Sequence, residues 1–170
     1  AAQRLRYDVF VKALGGDGVM EDHNRQQERD RSAVYCAHLL LLDEHAGGTV
    51  VGAYRVMREH GAQAAGQVSS ETEYDLSPLR RSGRQVMELG RSCVAPGYRG
   101  GVAMYHLWNG LAHYVERHNI EILFGVASFH GTDVSGLAQP LSLLHHRHLA
   151  PDALRVRAVE ESFQSMNLVE

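Results

Sequence analysis

Apolar positions recur at helical spacing at the start of the chain. Leu5, Val9 and Ala13 fall at i, i+4 and i+8, and Phe10 and Leu14 widen the stripe, which predicts an amphipathic helix over residues 1–14. Glycines around Asp17 end it. Residues 21–35 are polar and charged and read as a loop or a solvated helix. The pattern then changes. Ala37–Asp43 is a short apolar run, and Thr49–Arg58 is rich in β-branched and aromatic residues. Gly47 and Gly48 between them permit a tight reversal, so the two predict an antiparallel hairpin. Residues 61–70 read as a small-residue loop and 85–94 as a third strand, with Pro96-Gly97 as punctuation. Leu107, Leu111, Tyr114 and Val115 give helical spacing across 102–118. A buried-type strand at 122–128, a helix at 134–148 and a last strand at 154–159 complete the pattern. The order α-β-β-β-α-β-α-β feeds an antiparallel meander into a β-α-β unit, whose crossover is parallel and right-handed. The fold class is α/β, a mixed sheet in a sandwich with helices.

The length of 170 residues suits one domain over 1–170, large enough to bury a core without staples. The chain begins at Ala1, without Met and inside a helical pattern, as a piece of a longer protein would. A net charge of −3 lacks the cationic surplus that nucleic acid demands. The longest aliphatic run, Leu39-Leu40-Leu41-Leu42, is far below the ~20 residues of a membrane-crossing helix. No signal peptide is visible. Cys36 and Cys93 form no metal spacing and read as free thiols in a reducing cytosol. Nearly all the cations are arginine, a bias that reads mostly as genomic but suits gripping carboxylates and phosphates.

Two stretches carry candidate chemistry. The turn Val94-Ala95-Pro96-Gly97-Tyr98-Arg99-Gly100-Gly101 leads from strand into helix, where glycines and the helix's free N–H groups make a phosphate cradle or, more plainly, a flexible loop. It matches neither the P-loop nor the dinucleotide fingerprint. In Met87-Glu88-Leu89-Gly90-Arg91-Ser92-Cys93-Val94 an acid interrupts an apolar strand. Burial of a carboxyl is costly unless it is paired, and it favours general-base chemistry. A structural Glu88–Arg91 ion pair is the plainer alternative. Strand parity sends 88 and 91 to opposite faces, so sharing one face requires a bulge, expected at Gly90. His145, His146 and His148 read as packing or surface histidines, with no metal expected. Asp133 reads as a helix cap or a site residue, Cys93 as an inert thiol, and Tyr105, Trp108 and Ala112 as core packing rather than an acyl groove.

With these residues in view, the chain resembles the GCN5-related N-acetyltransferase fold, with a first strand before Ala1 and a segment after Glu170 missing. More narrowly, it resembles that fold's acyl-carrier-protein-dependent branch: acyl-homoserine-lactone synthases, N-acyl amino acid synthases and, most of all, the ornithine N-acyltransferases of ornithine-lipid biosynthesis. The matching stretches include Leu5-Arg6-Tyr7-x-Val9-Phe10, Glu28-x-Asp30, Cys36-x-His38-Leu39-Leu40, Val51-Gly52-x-Tyr54-Arg55 and Glu88-Leu89-Gly90-Arg91-Ser92-Cys93-Val94. Ala127-Ser128-Phe129-x-Gly131-Thr132-Asp133 and Pro140-Leu141-Ser142-x-Leu144-His145-His146 follow. Ser32, Ala33 and Ala37 depart from the family's aromatic and acidic residues, and Val102 and Met104 stand where acetyltransferase glycines would.

The resemblance implies an N-acyltransferase that moves a (3-hydroxy) fatty acyl group from an acyl carrier protein thioester to the α-amine of ornithine or a similar amino acid. It implies Glu88 and Arg91 as catalytic residues, and Arg6, Phe10, Asp30 and Arg55 as substrate-binding residues. Tyr98, Arg99, Gly100 and Gly101 would take the donor's phosphopantetheine, with no tightly bound cofactor and with coenzyme A as the other possible carrier. The implied partners are an amino acid and an acidic acyl carrier protein, for which Arg80, Arg81, Arg84 and Arg99 are the nearest basic cluster, also readable as a solvated turn. A lipid product implies a cytoplasmic protein with peripheral association at the inner membrane face. The alternatives are a homoserine-lactone-type synthase and a non-catalytic acyl or carrier-protein binding module.

Overall fold

A computed structural model describes residues 1–17, 20–129 and 131–169. The first helix starts as α1 (Ala2–Arg6) and continues over Tyr7–Ala13 with the wider π winding. Its length follows the apolar spacing, but its winding does not. Leu5, Arg6, Tyr7 and Val9 are all buried, so a charged side chain enters the interior with the apolar ones. The polar stretch 21–35 is a small hairpin, β1 (Glu21–Asp22) with β2 (Gln27–Glu28), followed by a 3₁₀ turn at Arg31–Tyr35. Then come β3 (Ala37–Asp43) and β4 (Thr49–Arg58), the expected antiparallel hairpin. The small-residue segment after it is partly helical, as α2 (Glu59–Ala65). Gly61 lets that helix sit against the chain at Tyr35, whose carbonyl oxygen would lie 2.3 Å from a Cβ there. Farther on are β5 (Tyr74–Asp75), α3 (Ser77–Arg81), β6 (Val86–Val94), α4 (Ala103–His118), β7 (Ile122–Gly125), α5 (Ala138–Arg147) and β8 (Arg157–Ala158).

The chain divides into two compact units. The first, Ala1–Val68 with Gln85–Gly125, holds a four-stranded sheet in the order β3-β4-β6-β7. Pairing is antiparallel except for β6 and β7, which are parallel and joined through α4, as the β-α-β reading requires. Helices cover both faces. On one, Leu5 and Val9 pack on Ala53 and Cys93; on the other, Leu107, Leu111 and Ala103 of α4 pack on Val56, Met87 and Val94. β7 ends earlier than its apolar run suggests. Gly125 pairs with Leu89 so closely that a Cβ would lie 2.4 Å from the Leu89 carbonyl oxygen.

The second unit, Ser69–Arg84 with Val126–Glu170, has its own two-stranded antiparallel sheet, β5 with β8. The last strand is therefore shorter than 154–159 and belongs to this ribbon, not to the central sheet. The helix expected at 134–148 begins at Ala138, because Asp133 first closes a turn on the Ser135 N–H and hydroxyl. Asp133 thus serves the approach to the helix. Among the described residues no helix is long and apolar enough to cross a membrane.

Candidate active site

The bulge that Glu88 and Arg91 need is present, one residue beyond Gly90. Across β4 and β6, Ala53 faces Cys93 and Arg55 faces Gly90. One residue, Tyr54, thus stands opposite two, Arg91 and Ser92. The left-handed residue is Arg91, at φ 51°, and not the glycine. Gly90 instead makes room for a side chain, since the Arg55 guanidinium passes over it, 3.5 Å from where a Cβ would stand. The extra residue resets strand parity, so the first-helix face receives Glu88, Arg91 and Cys93 together.

That face is charged. Glu88, Arg55, Glu28 and Arg6 are each no more than 4% exposed. The Arg6 Nε donates to Glu28, and Glu28 also meets the Arg91 Nε at 3.2 Å. Arg91 reaches the Met20 Sδ as well, at 3.2 Å. Arg55 pairs with Asp30. Asp30 further accepts from the Ser32 N–H at 2.8 Å and hydroxyl at 2.7 Å, which caps the 3₁₀ turn. Burial pushes the Asp30 carboxyl up, but the Ser32 hydrogen bonds and Arg55 outweigh it and hold it below the usual value. Three guanidinium groups (Arg6, Arg55, Arg91) thus balance three carboxylates (Glu28, Asp30, Glu88). Glu88 lies beside Met57, the cross-strand neighbour next but one to Arg55.

Sequence reasoning left Glu28 without a role, although it is the hub that meets two arginines. Its signal was the Glu28-x-Asp30 pattern: on a two-residue strand and its exit, alternate positions share a side. His38 was likewise only part of a motif. It pairs across the sheet with Arg55, and its Nε2 donates to the Ala33 carbonyl at 3.2 Å. Burial lowers its pKa, which favours its neutral form. Its Nδ1 is buried without a hydrogen-bond partner, as are both Arg6 terminal nitrogens.

The other expected residues fall elsewhere. Phe10 is half-buried against the Leu5–Val9–Ala53–Cys93 cluster. Tyr98, Arg99, Gly100 and Gly101 form the exposed approach to α4, which starts with no side-chain cap. Gly100 is left-handed at φ 73°, with open space where side chains would stand at 100 and 101. Tyr98 donates to Asp43 at 2.5 Å and Arg99 to the Val94 carbonyl at 3.2 Å. Arg80 pairs with Glu71 and Arg81 donates to Ser77, both in the second unit, whereas Arg99 belongs to the first. Arg80, Arg81 and Arg99 are thus each held by a local contact. Tyr105, Trp108 and Ala112, read as core, are exposed, with Trp108 edge-on to Tyr54. Burial pushes the Cys93 thiol up to about 11, which makes it a poor nucleophile. Among the described residues no group of His, Cys, Asp and Glu side chains converges as metal ligands would.

The stretch that runs from the first helix through the bulged central strand into α4 is matched by a family model. Residues 5–109 match that of the acetyltransferase (GNAT) domain. The chain belongs to the GNAT family. It is 56% identical to the L-ornithine N(alpha)-acyltransferase of Rhodobacter capsulatus over 99% of its own length and 66% of that protein. It is 40% identical to the Brucella abortus protein of the same name, over 99% of this chain and 62% of that one. The chain thus spans just under two thirds of these relatives. The GNAT chain also superposes on a CoA-dependent acyl-homoserine lactone synthase solved with SAM and isopentyl-CoA, at TM-score 0.57 and 18% identity, covering 94% of this chain and 69% of that one. An N-acyl amino acid synthase from uncultured soil microbes superposes at TM-score 0.52 and 15% identity, over 84% and 75%. At these identities the two structures speak for the fold, an α/β acyltransferase sandwich.

Proposed function

We propose that this GNAT protein moves a fatty acyl group from a thioester to the α-amine of ornithine, giving an N-acyl ornithine, a lyso-ornithine lipid. The observation that carries the reading is Glu88, a carboxylate held inside the sheet on a face shared with arginines. The similarity to proteins named L-ornithine N(alpha)-acyltransferase supports the substrate class.

The α-ammonium of an amino acid has a pKa near ~7.7–8.0, so removing its proton at neutral pH costs only about a kcal/mol. Glu88 takes that proton, directly or through one water. The amine nitrogen then attacks the thioester carbonyl carbon, the C–S bond breaks, and the departing thiolate takes the nitrogen's second proton to leave as the thiol. Arg6 offers two buried, unpartnered terminal nitrogens to the substrate carboxylate. Arg55, fixed by Asp30, shapes the same face, and Phe10 borders it. Arg91, with Glu28, maintains the bulge beside the base. The donor's phosphopantetheine lies along Tyr98, Arg99, Gly100 and Gly101 toward the free N–H groups of α4. Val102 and Met104, in place of glycines, favour acyl carrier protein over coenzyme A as the carrier. The reaction runs in the cytoplasm, with the amphiphilic product partitioning into the inner membrane face.

The test is incubation of the protein with 3-hydroxyacyl carrier protein or acyl-CoA and a panel of amino acids, read by mass spectrometry. Acyl-ornithine formed from the carrier-protein donor supports the reading. A lactone product, or acyl binding without turnover, overturns it.

A further inference from the structure

Strand alternation sends Val56 and Arg58 of β4 to the face opposite Met57, the partner of Glu88. There, beside the last turns of α4, a cleft of about 360 Å³ is lined by Cys36, Val56, Arg58, His60, Ala64 and Tyr114, among others. None of the acyl-transfer chemistry uses it. Tyr114 lies eleven residues into α4, roughly 16 Å along the axis from the helix start where the donor is placed.

Arg58 lines this cleft, and it makes no ion pair among the described residues. Its Nη1 donates to the His118 Nδ1 at 3.1 Å, and its guanidinium carbon stands 5.9 Å from the centre of the Tyr114 ring. A neutral imidazole and an aromatic face orient the guanidinium without neutralising it. Its Nε is buried and has no hydrogen-bond partner. A buried guanidinium donor left unpaired is costly, and an oxyanion satisfies it. Burial, and after it Arg58, Arg117 and His60, lowers the His118 pKa, in keeping with its accepting role. The apolar part of the lining comprises Ala37, Val56 and Ala64, with Val34 and Tyr35 exposed. The space is within the range of small-molecule pockets, about 300–1,000 Å³, and more than a bare oxyanion fills.

We propose that this cleft binds a phosphate ester, with the phosphate on Arg58 and His60 and its organic part against Val56 and Ala64. The site is independent of the acyl-transfer reading. The test is thermal unfolding with inorganic phosphate, at ionic strength held constant with chloride. A saturable rise in Tm is expected, with binding weakened about tenfold or more in R58Q. H60A, at an exposed position, weakens it by a smaller factor and serves if R58Q does not fold. Displacement of phosphate by glycerol 3-phosphate assigns a soluble ester, and displacement by phosphatidic acid vesicles a lipid. No saturable response, an equal response in folded R58Q, undiminished binding in H60A where R58Q does not fold, or displacement by neither ester overturns the proposal.

Discussion

At Glu28 one carboxylate serves two guanidinium groups, and both it and Arg6 are buried. Removing one partner of a buried ion pair strands the other charge, a change that typically costs about 3–5 kcal/mol. Glu28→Gln should therefore lower the urea-unfolding free energy by about that much; a loss below about 1 kcal/mol would mean that the pair is not formed in solution. Cys93 gives a prediction in pH. Its thiol value is raised by burial from 9.0 to about 11, so its neutral form is favoured by folding. That contribution is full below about pH 9 and is lost as pH rises toward about 11. Cys93→Ser, which lacks a titrating thiol, should flatten the decline of stability between these values. An unchanged decline in denaturant titrations would contradict the assignment.

Among the elements, β6 determines the site, and the two glycines along it and beside it differ in kind. A Cβ at Gly125, on the neighbouring strand, would collide with the backbone of Leu89, whereas one at Gly90 meets only the end of the flexible Arg55 side chain at ordinary contact distance. Gly125→Ala should lower Tm by several degrees and Gly90→Ala much less, read by circular dichroism. Equal effects would be evidence against the tight β6–β7 pairing. The four central strands were legible from short apolar runs and, in β4, from β-branched and aromatic content, and α4 from the 3.6-residue stripe of Leu107 and Leu111. The bulge was legible from parity alone, but not its position. Glycine marks bulges in general, whereas here Arg91 adopts the left-handed turn, with its side chain anchored by Glu28 and Met20. The π winding of the first helix, α2 and the β5–β8 ribbon were not legible. They depend on what the segment packs against, such as Gly61 on the chain at Tyr35, and no local periodicity reports that.

At the scale of the molecule, the sheet brings together charges that are distant along the chain. Arg6, Glu28, Arg55 and Glu88 come from four separate elements, and the folded face balances positive and negative groups. Ser32, a departure from the family pattern, is absorbed into this balance by its two hydrogen bonds to Asp30. The residues that the resemblance singled out, Arg6, Asp30, Arg55, Glu88 and Arg91, lie together on one face. Glu28 was missed because its role is to hold other residues. The most direct measurement is single-turnover transfer from acyl carrier protein to ornithine, comparing the unaltered protein with Glu88→Gln. Loss of a general base predicts a rate lower by ~10²–10⁴-fold, with circular dichroism and Tm unchanged. A folded Glu88→Gln protein that transfers the acyl group at the full rate would contradict the account.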